Sequence, residues 1–361
     1  MNPFYISNIR FFPGENQHDQ NHLNAWMSGQ YAQKAGSDPG SFWAANQKFY
    51  IGQDRIQSRF LESPLVATPD SIGPKPFGLE VVNGKAPSLG ERMRFFNSRV
   101  SQVLTHELSQ YSNATFPESL IHVSCTGYES PSPAQRALTR LGKTHCEVLH
   151  IYHMGCSAAV PGLRSGLGQM SLGKKTSVFH SELCGLHFSD RAFDSAEQKI
   201  VQSLFGDAYG LYDISSEPKT PCFKVVKTLE QIIPDTSELM KWQIEEPAFR
   251  MELDRQVPIV IGSHLRPFVR MLCEDKPWDS FHFAVHPGGP KILEAVAQGL
   301  ELSPHQMRAS QELLKTYGNL SSATLIGLWQ QKLEACEKGD ILVSLAFGPG
   351  LTMAGAVFEK C

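Results

Sequence analysis

Glu147-Val148-Leu149-His150-Ile151-Tyr152-His153-Met154-Gly155-Cys156-Ser157-Ala158-Ala159-Val160-Pro161 is the stretch that decides how this chain folds. An apolar, strand-like run ends at Tyr152, and a helical pattern of small and apolar residues begins at Ser157. Pro161 suits a first helical turn, whose N–H groups have no partner inside the helix. A strand running into a helix is the building unit of an α/β layered fold. The joint places Cys156 at a helix N-terminus, where unpaired N–H groups and the helix dipole favour thiolate over thiol. Cys156 is therefore the candidate nucleophile, and its thiol is expected to be acidic.

Working outward, the same alternation continues. Strand Ile121 to Cys125, turn Ser130-Pro131-Ser132-Pro133 and helix Ala134 to Leu141 precede the quoted stretch. Helix Ser157 to Leu172 and strand Ser177 to Leu183 follow it. The second half repeats the scheme with strand His282 to Val285, a Pro-Gly-Gly-Pro turn, and helices Lys291 to Leu300, His305 to Thr316 and Ser322 to Cys336. Ile341 to Phe347 and Thr352 to Phe358 read as a hairpin across Gly348-Pro349-Gly350. No sequence repeat of fixed period accompanies the correspondence. The first hundred residues read as irregular, with turns at Gly36 to Gly40 and Gly73-Pro74-Lys75-Pro76 and a helix from Leu89 to Glu107.

His286 ends a strand and Asn319, in Tyr317-Gly318-Asn319-Leu320-Ser321-Ser322, falls between two helices, so candidate residues of both halves lie where ligand crevices open in α/β sheets. Cysteine can hold an acyl group as a thioester while imidazole and carboxamide donate to an oxygen that gains charge. Taken singly, each has a plainer reading: a buried thiol, a core histidine, a helix cap. The Gly-Cys-Ser-Ala-Ala context and the three together favour chemistry. His153-x-x-Cys156 with Cys184-x-x-His187 has the spacing of a Cys2His2 zinc site. Strand and turn positions aim those side chains to different faces, so no metal is expected. Leu141-Gly142-Lys143-Thr144 follows a helix rather than a strand, and Gly166-Leu167-Gly168 lies inside a helix; neither is a nucleotide-binding motif.

Composition sets the outer limits. The 361 residues are 41 % hydrophobic and 19 % charged, enough for a large core. With 33 basic against 36 acidic residues the net charge is −3, which gives no footprint for nucleic acid or an anionic membrane. No apolar run approaches the about 20 residues that span a bilayer, and the N-terminus lacks a signal-peptide pattern, so a cytoplasmic protein is expected. The eight cysteines are thinly spread and read as reduced thiols.

Cys125-Thr126-Gly127, Gly155-Cys156, Leu204-Phe205-Gly206-Asp207, His286-Pro287-Gly288-Gly289-Pro290, Gly318-Asn319-Leu320-Ser321-Ser322-Ala323 and Phe347-Gly348-Pro349-Gly350-Leu351-Thr352 occur in an order that resembles the type III polyketide synthases. These are the chalcone and stilbene synthase family of the thiolase superfamily, and the match runs through roughly the last two thirds of the chain. The resemblance implies an α/β, five-layered αβαβα thiolase-like fold with two pseudo-duplicated halves, which we divide at 1–215 and 216–361. It implies a homodimer that takes coenzyme A thioesters as substrates, with no permanently bound cofactor. Cys156 resembles the acyl-accepting nucleophile, and His286 and Asn319 the pair that promotes malonyl decarboxylation.

Phe205 resembles one gatekeeper between tunnel and cavity. The second gatekeeper position falls on Met251, where a flexible thioether replaces a ring. Pocket positions fall on Cys125, Thr126, Cys184, His187 and Ser321, and the residue offered to the partner's cavity falls on Ser130. These departures from the plant pattern point to a bacterial-type enzyme whose product is not a chalcone. Lys48, Arg55 and Arg59 match the basic residues at the tunnel mouth, loosely. The implied reaction extends an acyl starter with malonyl-CoA and closes a pyrone or resorcinol-type ring. The alternatives are a ketoacyl synthase III-like enzyme fed by an acyl carrier protein, and a non-catalytic acyl-binding subunit.

Overall fold

The computed structural model describes residues 3–62, 87–189 and 193–361, so the turn expected at Gly73-Pro74-Lys75-Pro76 lies outside the described residues. The N-terminal part contains β1 (Phe4–Pro13), β2 (Asn16–Asp19), α1 (Gln20–Ala35), α2 (Pro39–Asn46), β3 (Ser58–Leu61) and α3 (Leu89–Ser109). Then come β4 (Ser119–Ser124), α4 (Pro133–Arg140), β5 (Glu147–Tyr152), α5 (Ala159–Ser171), β6 (Thr176–Leu183), α6 (Ala196–Gln202) and β7 (Asp207–Ser215). Beyond them lie β8 (Cys222–Ile232), β9 (Met240–Gln243), β10 (Arg250–Leu253) and α7 (Val257–Cys273). The chain ends with β11 (His282–Val285), α8 (Pro290–Leu300), α9 (Pro304–Tyr317), α10 (Ala323–Ala335), β12 (Ile341–Gly348) and β13 (Thr352–Lys360).

Nine strands form one sheet in the order β11-β12-β13-β8-β1-β7-β6-β4-β5. The internal repeat is visible in the pairing. In the first half β4 runs parallel to β6, β6 antiparallel to β7 and β7 antiparallel to β1. In the second, β11 runs parallel to β12, β12 antiparallel to β13 and β13 antiparallel to β8. β5 is added beyond β4 in the first half alone. β1 hydrogen-bonds to β7 on one edge and to β8 on the other, and a register shift between Ser7 and Arg10 lets it serve both.

The two halves of the sheet fold over a shared helical layer. α5 packs on β4, β6 and β7 and also on β8 and β13; α10 packs on β1 and β7 and also on β11 and β12. α10 is apolar nearly all round, with Leu325, Ile326, Leu328 and Trp329 wholly buried, as a helix between two sheets must be. α3 and α4 cover the outer face of the first half, and α7, with α8 beside it, covers that of the second. The result is helix, sheet, helix, sheet, helix.

The N-terminal reading needs correction. Far from irregular, residues 4–35 supply the strand that joins the two half-sheets and a four-turn helix. α1 starts at an Asp19 side chain accepting from the His22 N–H and stops at Gly36, whose φ of 64° closes the helix. Its buried residues include Gln20, Asn24 and Ser28, so polar side chains face the core and mask the apolar stripe.

Candidate active site

Cys156 lies in a single 3-10 turn, Gly155–Ala158, between β5 and α5. Gly155 has φ 65°, and a Cβ there would come within 2.2 Å of the Pro349 ring in the β12–β13 turn. Only glycine meets both constraints, so the turn that aims Cys156 is fixed by the opposite half of the molecule. Asn319 precedes α10, the counterpart of α5 in the internal repeat. Its N–H donates to Leu204 O (2.9 Å) and its carbonyl accepts from the Gly206 N–H (3.0 Å), a one-residue bridge to Phe205. Both central helices therefore begin at the same place.

His286 follows β11 and continues its ladder through an N–H···O bond to Leu345 of 2.8 Å. Its ring is fully buried, and neither Nδ1 nor Nε2 has a hydrogen-bond partner among the described residues. Unpaired buried nitrogens are costly, and they are expected where a ligand supplies the missing partner. Asn319 is oriented by its own neighbours: Oδ1 accepts from the Ser321 N–H (2.8 Å), which turns Nδ2 toward Gly288 O (3.5 Å) and Cys156 Sγ (4.0 Å). Cys156, His286 and Asn319 line one cavity of about 670 Å³.

That cavity reaches the surface beside Lys48, Arg55, Arg255 and Lys291. Arg55 is paired with Glu294 at 3.0 Å and with Asp54 at 3.5 Å. Arg59 is elsewhere, and its assignment to the tunnel mouth is corrected. It is wholly buried, with Nε donating to Gln20 Oε1 (2.7 Å) and Nη1 to the carbonyls of Phe205 (3.1 Å) and Gln202. It braces the backbone that carries Phe205. Arg255 and Lys291, which sequence reasoning missed, stand at the mouth instead.

Behind Cys156 is a second, apolar cavity of about 40 Å³, reached between Phe205 and Met251, which line both spaces. Cys125, Thr126, Cys184, His187 and Ser321 line it as well. Ser130 does not; it is exposed, next to a cis Ser130–Pro131 bond. The inner wall is stiff. The His187 ring stacks on Phe249 at 4.2 Å, and its Nε2 and Nδ1 bond Thr126 O (2.8 Å) and the Phe249 N–H (3.1 Å). Trp242 Nε1 donates to Cys125 O at 2.6 Å. With both His187 nitrogens engaged, the residue is not a metal ligand.

Electrostatics overturn the expectation of an acidic thiol. Burial pushes the Cys156 thiol up to about 12, and the nearby Glu182 charge adds to the rise, while hydrogen bonds from Ser321 and Asn319 pull the other way. Burial lowers the His286 imidazole to about 3. Cys125 and Cys184 are likewise pushed well above the ordinary thiol value, first by burial and then by Glu182. Isolated charges are thus disfavoured, and a thiolate is supported only with its proton held on an adjacent base. Glu182 is itself raised to about 7 by burial, and it accepts from the Cys125 N–H (3.0 Å) and from the Ser322 hydroxyl. Sequence reasoning missed Glu182, although a lone carboxylate in the otherwise uncharged run Thr176–Leu183 is a usable signal.

Comparison with known proteins agrees with this geometry. Residues 224–361 match the model of the C-terminal domain of chalcone and stilbene synthases. A 3,5-dihydroxyphenylacetyl-CoA synthase from Amycolatopsis balhimycina is 31 % identical over 255 residues, covering 66 % of this chain and 68 % of that protein. "Probable polyketide synthase 1" of Dictyostelium discoideum is 30 % identical over 255 residues, 67 % of this chain; the match spans only 8 % of that protein's length. It spans 58 % of "Type III polyketide synthase B" from Arabidopsis thaliana, at 28 % identity. Among solved structures, the C-terminal type III polyketide synthase domain of a Dictyostelium type I/III hybrid superposes with a TM-score of 0.85 at 24 % identity, covering 99 % of both chains. The 1,3,6,8-tetrahydroxynaphthalene synthase of Streptomyces coelicolor gives 0.82 at 18 % identity, again with 99 % of each covered. With a thiolase-like layered fold and a cysteine, a histidine and an asparagine from three separate segments lining one cavity, the chain belongs to the type III polyketide synthases, the family of the chalcone and stilbene synthases.

Proposed function

We propose that this protein is an acyltransferase that loads an acyl starter from coenzyme A onto Cys156 and extends it by decarboxylative Claisen condensation with malonyl-CoA. One observation carries the reading: Cys156, an unpartnered His286 and an oriented Asn319 share a cavity whose mouth is lined by cations. The thiol proton passes to His286, a fully buried base of the same cavity that has no hydrogen-bond partner among the described residues. The sulfur attacks the starter thioester carbon, the bond from that carbon to the coenzyme A sulfur breaks, and the departing thiolate takes the proton from His286. Lys48, Arg255 and Lys291 stand where the coenzyme A phosphates enter.

In the extension step the bond between the malonyl carboxylate and its α-carbon breaks, carbon dioxide leaves, and the electron pair moves onto the thioester oxygen. Asn319 Nδ2–H and one His286 N–H stabilise that oxygen more in the transition state than in the ground state. The enolate carbon attacks the acyl carbon on Cys156, and the sulfur departs. The lengthened chain, now a coenzyme A thioester, is passed back to Cys156 for each further extension. Attack of an enol oxygen on the thioester carbon closes a pyrone and expels the thiol; closure to a resorcinol-type ring releases the chain with hydrolysis of the thioester. The exposed apolar side chains Tyr128, two residues before Ser130, and Met154, which follows the His153 ring that Tyr128 packs against, supply a surface for a second copy in a homodimer.

The small inner cavity supports a second reading, a ketoacyl synthase III-like single condensation with a carrier protein as acyl donor. About 40 Å³ holds a few waters, not a folded tetraketide. Incubation with malonyl-CoA and a panel of starter thioesters, read by mass spectrometry, separates the readings. Products carrying two or more malonyl-derived units support the polyketide reaction; exactly one unit in every product replaces it with the second.

A further inference from the structure

At the end of β11 away from His286, three metal-binding side chain types converge. A ring nitrogen of His282, Cys336 Sγ and a carboxylate oxygen of Asp340 all lie within 4.8 Å of one another. His282 Nε2 and Asp340 Oδ2 are 3.0 Å apart. Cys336 caps the C-terminus of α10 at 7 % exposure, and its sulfur has no hydrogen-bond partner among the described residues. Asp340 is held from two sides: Oδ2 accepts from the Glu337 N–H (2.8 Å), and its carbonyl accepts from the Lys360 N–H (2.9 Å).

We propose that His282, Cys336 and Asp340 form a binding site for a zinc-class divalent cation, with a water as fourth ligand. Nitrogen, thiolate sulfur and one carboxylate suit a borderline ion of tetrahedral preference, whereas calcium and magnesium take oxygen ligands. Coordination replaces the thiol proton, which goes to solvent, with a sulfur–metal bond. Ligand atoms of a tetrahedral site lie about 3.3 to 3.6 Å apart, so the His282–Asp340 contact opens slightly and the sulfur, within 4.8 Å of both, closes on them. This proposal departs from the expectation that the chain binds no metal; the members of the cluster are scattered through the sequence.

Position suggests what the site does. β11 carries His286 at its far end, roughly 13 Å from His282 along the strand. α10 begins beside Asn319 and ends at Cys336. β12 begins directly after Asp340. A bound ion would clip together the rear ends of the two elements whose front ends hold His286 and Asn319, apart from the reaction itself.

Cobalt(II) titrated into the chelator-treated full chain tests the site. A thiolate-to-cobalt charge-transfer band saturating at one equivalent, bleached by zinc and absent in Cys336→Ser and His282→Gln, is expected. No band, or a band of equal intensity in Cys336→Ser, overturns the proposal. X-ray absorption at the zinc edge of the loaded wild-type protein gives the same decision without a variant. One sulfur with a nitrogen and oxygen shell is expected; a shell without sulfur, or with several, refutes it.

Discussion

Asn319 shows how much one side chain can be made to do by committing its ends separately. Oδ1 is taken by the Ser321 N–H, so Nδ2 faces the cavity without rotating. Asn319→Ala should lower extension about a hundredfold, since one oxyanion donor is worth about 3 kcal/mol, while Cys156 still accepts an acyl group. Comparable losses of both steps would argue for a structural role. His286 should matter one step earlier. With burial holding the thiol near 12, Cys156 in His286→Ala should be alkylated at neutral pH at least about tenfold more slowly than in wild type, and an unchanged iodoacetamide rate would remove His286 as the proton acceptor. Cys156, His286 and Asn319 were legible in the sequence because each ends a regular element. Arg59 was misplaced because sequence does not distinguish an arginine that reaches solvent from one turned inward onto backbone carbonyls. The thiol's acidity was misjudged because a helix N-terminus is visible in sequence and burial is not.

Among the elements, the hairpin of β9 and β10 has the most specific consequence. Its register sets Met251 opposite Trp242, and Trp242 with Phe249 and His187 fills the space behind Cys156. Trp242→Ala should enlarge that cavity at a stability cost of about 3 kcal/mol or less, given that the indole is not fully buried. Acceptance of longer starters or appearance of further-extended products is expected, and an unaltered product profile would show that this wall does not limit chain length. The strands around Cys156 and His286 were readable from their β-prone apolar runs. β9 and β10 were not, because Met240–Gln243 and Arg250–Leu253 interleave charged and polar residues with apolar ones and lack the apolar run of β11. β1 escaped notice for another reason: it is a ten-residue strand broken by a bulge at Asn8, where φ is 50°.

For the whole molecule, the buried titratable groups predict how stability responds to acid. His122, His180, His187 and His286 are lowered to about 3 and His18 to about 4, all chiefly by burial. Each binds a proton more readily unfolded than folded, so its contribution is lost as pH falls below about 6.5. Glu182 and Asp207, raised to about 7, and Glu62, also raised, act oppositely, weakening the fold as pH climbs through their folded values. Five imidazoles outweigh three carboxyls between about pH 5 and 6.5, and Tm should fall as pH is lowered across that window. A flat or rising Tm would mean that these histidines are not buried neutral. The layered architecture was readable from the alternation of strands and helices; that one N-terminal strand joins both half-sheets was not, since pairing partners some two hundred residues away leave no local signature.

Three cysteines line the inner cavity, and the account rests on only one of them carrying the acyl chain. Cys156 alone of the three also faces the outer cavity that holds His286 and Asn319, whereas Cys125 and Cys184 line the inner cavity only. Brief exposure to a starter acyl-CoA, acid quenching and peptide mass mapping should find a single acyl group, on the peptide containing Cys156, and none in Cys156→Ala. Acylation of Cys125 or Cys184 instead, or no covalent adduct with any acyl-CoA, would contradict the account.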